Sequence, residues 1–295
     1  KKRPKILPTI KTFDLNKKPV LENNKLRQKR QKDIYSKKPI LKITNLSKFY
    51  NTSPNFFTKN NEFKALNKID LNLYPGETLG LIGESGSGKT TLSNAILKIH
   101  SFEEGEILYE GNDVSTLKGE YLLNFRKQVQ LIFQDPYASL NPLKNIMETI
   151  AEPIKYHRLI DDKNKIIDKV TELLNDVGLD ESFLPRYPHE LSGGQKQRIC
   201  IARAICLNPK VIICDECVSA LDVSVQATIL NLLNSLKKKY DFTYIFISHD
   251  LSVVKYMSDR IVVLFNGKVV EYEEADKMFL DPKSNYTKKL IKASI

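Results

Sequence analysis

Residues Gly83-Glu84-Ser85-Gly86-Ser87-Gly88-Lys89-Thr90 follow the strand-like segment Glu77–Ile82, apolar enough to be central in a sheet, and precede a helical pattern over Thr91–Ile99. The spacing G-x-x-x-x-G-K-[ST] between those two patterns commits the segment to a strand, a tight loop and a helix. Glycines let the backbone curl until successive N–H groups face one anion, and the helix N-terminus adds roughly half a positive charge at that point. Lys89 can then reach the β- and γ-phosphates of a nucleotide, and the Thr90 hydroxyl can take one position on Mg²⁺. Gly83 through Thr91 are accordingly candidate nucleotide-binding residues.

The rest of the chain repeats the alternation of strand and helix. Leu41–Phe49 alternates apolar and polar residues as a half-buried strand does, Asn51–Glu62 reads as a loop, and Asn67–Tyr74 is a second strand before the Pro75-Gly76 turn. Helical periodicity fills Tyr121–Leu184, most clearly Lys165–Val177, and marks a helical insertion over about residues 121–190. Beyond it come a helix over Gln195–Leu207, a strand Val211–Cys214, an amphipathic helix Val223–Tyr240 and a strand Thr243–Ile247. Within the C-terminal stretch of about residues 255–295, Ile261–Phe265 and Lys268–Tyr272 flank Asn266-Gly267, the favoured type I′ hairpin pair. The expected fold class is α/β, a P-loop nucleotidase core with a mostly parallel sheet.

Charge separates the N-terminus from the remainder. Of the 46 Lys and Arg and 35 Asp and Glu, 14 basic and 3 acidic residues lie in Lys1–Ile40, so Leu41–Ile295 is neutral overall. The net +11 is therefore no basic footprint of a nucleic-acid-binding domain, and no nucleic-acid partner is expected. Lys1–Ile40, with prolines among lysines, reads as a flexible extension, either simply solvated or meeting anionic head groups or an acidic partner. No run approaches the roughly 18 to 20 apolar residues of a membrane span. No secretory apolar segment follows the first basic residues, so the expected location is inside the cell. Cys200, Cys206, Cys214 and Cys217 include one C-x-x-C pair without a second pair, which favours buried apolar roles over metal or redox work.

At the carboxyl end of Val211–Cys214 stand Asp215 and Glu216, where ligands bind in open α/β sheets. Asp215 is placed to hold Mg²⁺, and Glu216 to orient and deprotonate an attacking water. Kinases, GTPases and transport motors share these two motifs. Leu191-Ser192-Gly193-Gly194-Gln195 narrows the class, because Ser192 and the glycines open a second anion-binding helix N-terminus in one chain. Two such termini suggest a nucleotide held between two chains.

This constellation resembles the ATP-binding cassettes of ABC transporters over nearly all of Leu41–Ile295, with an antiparallel β subdomain and a helical subdomain added to the core. The resemblance implies that Tyr50 stacks on adenine and that Gln134 touches Mg²⁺ and the attacking water. It implies further that Ser192, Gly193, Gly194 and Gln195 meet the nucleotide of a paired cassette and that His249 contacts the γ-phosphate. Ser219-Ala220-Leu221-Asp222 resembles the loop that communicates between paired cassettes in that family, which makes Asp222 a further candidate at the nucleotide site. ATP and Mg²⁺ are the implied cofactors, with Glu216, His249 and Gln134 as catalytic residues.

Finer similarity lies in Gln134–Pro142, Arg186–Leu191 and Tyr286-Thr287-Lys288-Lys289-Leu290. These resemble the oligopeptide and dipeptide importer ATPases, and the second of their two paired ATPase subunits more than the first. The implied assembly has a related second cassette, two integral-membrane permease subunits and an extracytoplasmic peptide-binding protein, with this chain peripheral on the cytoplasmic face. Cys217 departs from the usual Pro, which removes a restraint on the turn after Glu216. Alternatives are an importer or exporter ATPase for another substrate, or a soluble ABC-type ATPase acting on nucleic acid or ribosomes.

Overall fold

The computed structural model describes residues 7, 24–51 and 62–293. Its elements begin with α1 (Asn24–Tyr35), β1 (Leu41–Asn51), β2 (Glu62–Leu73), β3 (Thr78–Ile82), α2 (Lys89–Ile96), β4 (Glu104–Tyr109), β5 (Asn112–Asp113) and α3 (Gly119–Gln128). They continue with β6 (Val129–Ile132), α4 (Pro136–Ser139), α5 (Ile146–Tyr156), α6 (Lys163–Asp176), α7 (Gly193–Ile205), β7 (Val211–Asp215) and α8 (Val223–Tyr240). The last are β8 (Thr243–Ile247), α9 (Leu251–Met257), β9 (Arg260–Phe265), β10 (Lys268–Glu274), α10 (Ala275–Leu280) and α11 (Asn285–Ala293). The chain divides into two compact units, one of Lys25–Asn124 with Tyr244–Ile295 and one built on Phe125–Thr243.

In the first unit, β2-β1-β4-β5 form an antiparallel sheet. Leu41, Ile43 and Leu46 of β1 are buried while Lys42 is exposed, the alternation expected of a one-sided strand. A register shift falls between Ile43 and Leu46, where Asn45 takes a φ of 51° and its N–H donates to Asp70 Oδ1 at 2.8 Å. β2 starts earlier than the periodicity suggests, at Glu62, because Phe63 and Lys64 continue the ladder opposite Tyr50 and Phe49. Residues 52–61, the middle of the expected loop, lie outside the described residues.

The second sheet of this unit runs β10-β9-β3-β8, with β3 parallel to both β8 and β9 and β10 antiparallel to β9. All five residues of β3 are buried, as a central strand requires. The hairpin joining β9 and β10 has positive φ at both Asn266 (47°) and Gly267 (72°), the type I′ turn expected from that pair.

The extension Lys1–Ile40 is not wholly flexible. Asn24–Tyr35 is a helix, and its Arg27, Gln31 and Ile34 are buried on one face. Arg27 pairs with Asp276 and Arg30 with Asp259, whose Oδ2 also accepts the Thr78 N–H at 3.0 Å. Tyr35 meets the ring of Tyr74 edge-on and, with Tyr74 and Tyr272, surrounds the Arg260 guanidinium. Arg260 donates two hydrogen bonds to Glu77, a fully buried carboxylate, at 2.7 and 3.0 Å. Burial raises the Glu77 pKa, and the Arg260 bonds oppose that rise. Polar anchoring of this kind leaves no apolar stripe for composition to reveal.

The second unit holds the parallel pair β6–β7 and helices α4 to α8, with α7 contacting α4, α5, α6, α8 and β6. α5 starts at a capping box between Asn145 and Glu148, and α6 at an Asp162 cap. α6 buries Ile166, Val170, Leu173 and Leu174, the spacing of one helical face. These helices lie within the expected insertion. α8 has the expected bounds; Asp222 caps it, and Lys237, Lys238 and Lys239 occupy its last turn, where the dipole favours cations.

Candidate nucleotide site

The first unit carries the phosphate loop. Gly83, Gly86 and Gly88 all take positive φ, and α2 begins at Lys89, so Lys89, Thr90 and Thr91 form its first turn. A Cβ on Gly83 would run into the Leu264 carbonyl, and one on Gly88 into the Ala65 carbonyl, so these two positions need glycine. The Lys89 ammonium lies across the loop, donating to the carbonyls of Gly83 at 2.7 Å and Glu84 at 2.9 Å. Ser87 is buried and its Oγ has no hydrogen-bond partner. An orphan hydroxyl, a lysine ammonium and the open N-terminus of α2 make a cradle that fits a polyphosphate. From outside, Gly267 N–H donates to Ser87 O at 3.1 Å and Glu84 N–H to the Tyr286 hydroxyl at 3.1 Å.

Tyr50 and His249 belong to the same unit. Tyr50, on β1, is 39% exposed, and Lys48 Nζ sits 5.2 Å from its ring centroid. His249 is exposed between β8 and α9, beside Asp250, which caps α9.

The second unit carries the acids. β7 ends at Asp215, and Glu216 follows with a φ of 45°. A left-handed glutamate is costly by about 1–3 kcal/mol and persists only where its surroundings hold it. Here the Ser219 N–H and Oγ both donate to the Glu216 carbonyl, at 3.0 and 2.9 Å. Those two bonds close the turn although Cys217 stands where proline is usual. Gln134 Nε2 donates to Glu216 Oε2 at 3.1 Å, bringing together two of the expected catalytic residues.

Ser192 caps α7 in a reciprocal box: Gln195 N–H donates to Ser192 Oγ at 3.4 Å, and Ser192 N–H to Gln195 Oε1 at 2.9 Å. The helix therefore starts two residues earlier than its apolar pattern. Gly194 packs against Val225 so closely that a Cβ would sit 2.7 Å from Cγ1. Lys196, buried, lies 3.7 Å over the ring of Tyr137, tying the segment after Gln134 to α7. The Asp222 carboxylate accepts from Ser224 Oγ at 2.7 Å and Val225 N–H at 3.1 Å, and these bonds lower its pKa.

No group of three or more His, Cys, Asp and Glu that could hold a metal occurs among the described residues. The expected Mg²⁺ donors, the Thr90 hydroxyl, the Gln134 amide oxygen and the Asp215 carboxylate, are hard oxygen ligands of the kind Mg²⁺ takes together with waters and substrate phosphates. The four thiols are buried; burial pushes Cys200 up to about 11 and Cys206 up to about 12. Cys214 is raised as well, first by its hydrogen bond with Cys217 and then by burial. Protonated, enclosed thiols are poor nucleophiles. A thiol-specific reagent at neutral pH is expected to modify none of the four in the native protein and all four after denaturation.

The phosphate loop, the acidic pair and the capped Ser-Gly-Gly helix start recur together in one family. The family model described as "ABC transporter" matches residues 66–219, just over half of the chain. This chain belongs to the ABC transporter family. It is an ATP-binding cassette and an ATPase. The oligopeptide transport ATP-binding protein OppF of Streptococcus mutans is 48% identical over 258 residues, which cover 88% of this chain and 82% of that protein. The dipeptide transport ATP-binding protein DppF of Lactococcus lactis subsp. cremoris is 46% identical, covering 86% and 80%. A dimeric, post-hydrolysis structure of the cassette MJ0796 bound to ADP and Pi superposes with a TM-score of 0.70 at 30% identity, covering 80% of this chain and 98% of that one.

Gly267 and Tyr286 hold the phosphate loop from outside, a contact that no motif in the sequence assigns to either. The Asn-Gly pair announces a turn and Tyr286 opens a family-like motif, but neither pattern tells where the residue lands.

Proposed function

We propose that this cassette is the ATPase subunit of an importer for oligopeptides or dipeptides. Its relatives OppF and DppF, named for those cargoes and matched over most of both chains, support the cargo class. The observation that carries the mechanism is the Gln134–Glu216 hydrogen bond, which joins the glutamine expected to touch the attacking water to the expected general base.

In this reading two cassettes close on ATP, each nucleotide lying between one chain's phosphate loop and the other's Ser192–Gly194. Lys89 and the N–H groups of α2's first turn bind the phosphates, the Ser192 helix start caps them from the partner, and Tyr50 stacks on the adenine. Glu216, oriented by Gln134, takes the proton from water as it attacks; His249 steadies the γ-phosphate, and Asp222 lies at the cassette contact. Thr90, Gln134 and Asp215 would hold Mg²⁺, which when bound offsets the charge developing on the phosphoryl oxygens. Loss of the γ-phosphate removes the group bridging the chains and lets them part. No helix among the described residues is long and apolar enough to cross a membrane. In this reading permease subunits form the pathway for cargo, and this chain sits peripherally on their cytoplasmic side.

Mass spectrometry of the gently solubilised complex tests the proposal. A related second cassette, two permease subunits and retained peptide are expected. Recovery with ribosomes or nucleic acid, or with a non-peptide cargo, would contradict it.

A further inference from the structure

Tyr286-Thr287-Lys288-Lys289-Leu290 has no part in that mechanism, yet its first residue touches the nucleotide loop. The approach to α11 is tightly defined. Glu271, a buried carboxylate on β10, accepts the N–H groups of Lys283 and Ser284, each at 3.0 Å. Ser284 Oγ then accepts the Tyr286 N–H at 3.2 Å, and Thr287 is fully buried. The Tyr286 ring rests on Phe265, the last residue of β9, with centroids 4.2 Å apart.

From this seat the Tyr286 hydroxyl accepts the Glu84 N–H at 3.1 Å, while the Glu84 carbonyl accepts from Lys89 Nζ at 2.9 Å. One residue of the phosphate loop is thus held on both sides, by the C-terminal helix and by the phosphate-binding lysine. We infer that Tyr286 is a positioning residue for nucleotide binding, fixing the Glu84 peptide and with it the loop that receives the polyphosphate. The inference rests on the loop's assignment as the ATP site. It follows physically from preorganisation: a loop already held in its binding form loses less conformational freedom when ligand arrives. Glu84 is exposed, so water can satisfy its N–H when the hydroxyl is missing, and the cost falls on loop order rather than on folding.

Tyr286→Phe isolates the hydroxyl, since the ring keeps its place on Phe265. In the assembled transporter, the ATP KM is expected to rise about 3- to 10-fold, the range of one modest hydrogen bond, with kcat within about twofold and the melting temperature unchanged. An unchanged KM beside a wild type that binds ATP normally would overturn the positioning role alone, and so would a lowered melting temperature with unchanged KM. A wild type unable to bind ATP would overturn the ATP site and this role together.

Discussion

Glu216→Gln is expected to lower ATP turnover in the assembled transporter by a factor on the order of 10² to 10⁴ while ATP still binds, because with Glu216 as the proposed general base an amide in its place cannot take the proton of the attacking water. The substitution keeps the length and shape of the side chain. Its carbonyl oxygen can still accept the Gln134 Nε2 hydrogen bond now made to Glu216 Oε2. The left-handed backbone at Glu216 is held by Ser219 through the main-chain carbonyl, which the variant retains. Shape and turn are therefore preserved, and the lost rate reports the carboxylate itself. Single-turnover ATPase measurements on the complex check this outcome, and an unchanged kcat would remove Glu216 from its role.

Lys89→Ala acts at the other end of the chemistry. The ammonium is a buried charge folded over the carbonyls of Gly83 and Glu84, in the first turn of α2. Alanine is the best helix former, so α2 tolerates the change. What the variant would lose, on the proposed role, is a charge-assisted contact to the phosphates of bound ATP as well as to the transition state. ATP affinity should fall by about 10- to 100-fold, the range for a hydrogen bond to a charged group. Equilibrium titration with a fluorescent ATP analogue checks it; normal affinity would contradict the proposed contact. The two variants separate cleanly, one holding nucleotide without turnover and the other failing to hold it.

Much of this was legible in the sequence because it is local. The phosphate loop announces itself through glycine spacing between a largely apolar strand and a helix, and α8 keeps its expected bounds because Asp222 caps an amphipathic pattern. The Asn266-Gly267 turn is equally local, since both residues need positive φ. The docked α1 was not legible. Its buried face is Arg27, Gln31 and Ile34, and what fixes it are Asp259, Asp276 and Tyr74, far away along the chain. The same holds for Gln134 with Glu216 and for Tyr286 with Glu84: motif spacing names the residues, and only the fold decides which of them meet. The start of α7 moved for a smaller reason. The Ser192–Gln195 box lets Gly193 and Gly194 enter the helix, which propensity alone argues against.

At the centre stands the proposal that one chain contributes only part of each ATP-hydrolysing site, with Ser192–Gly194 of a second cassette completing it. Steady-state ATP hydrolysis by the purified chain, diluted until sedimentation shows it monomeric, and then titrated with its partner cassette, measures that dependence directly. Negligible turnover alone, rising with partner concentration to a plateau, is the expected result. Full turnover by the isolated monomer, unaltered when the partner is added, would contradict it.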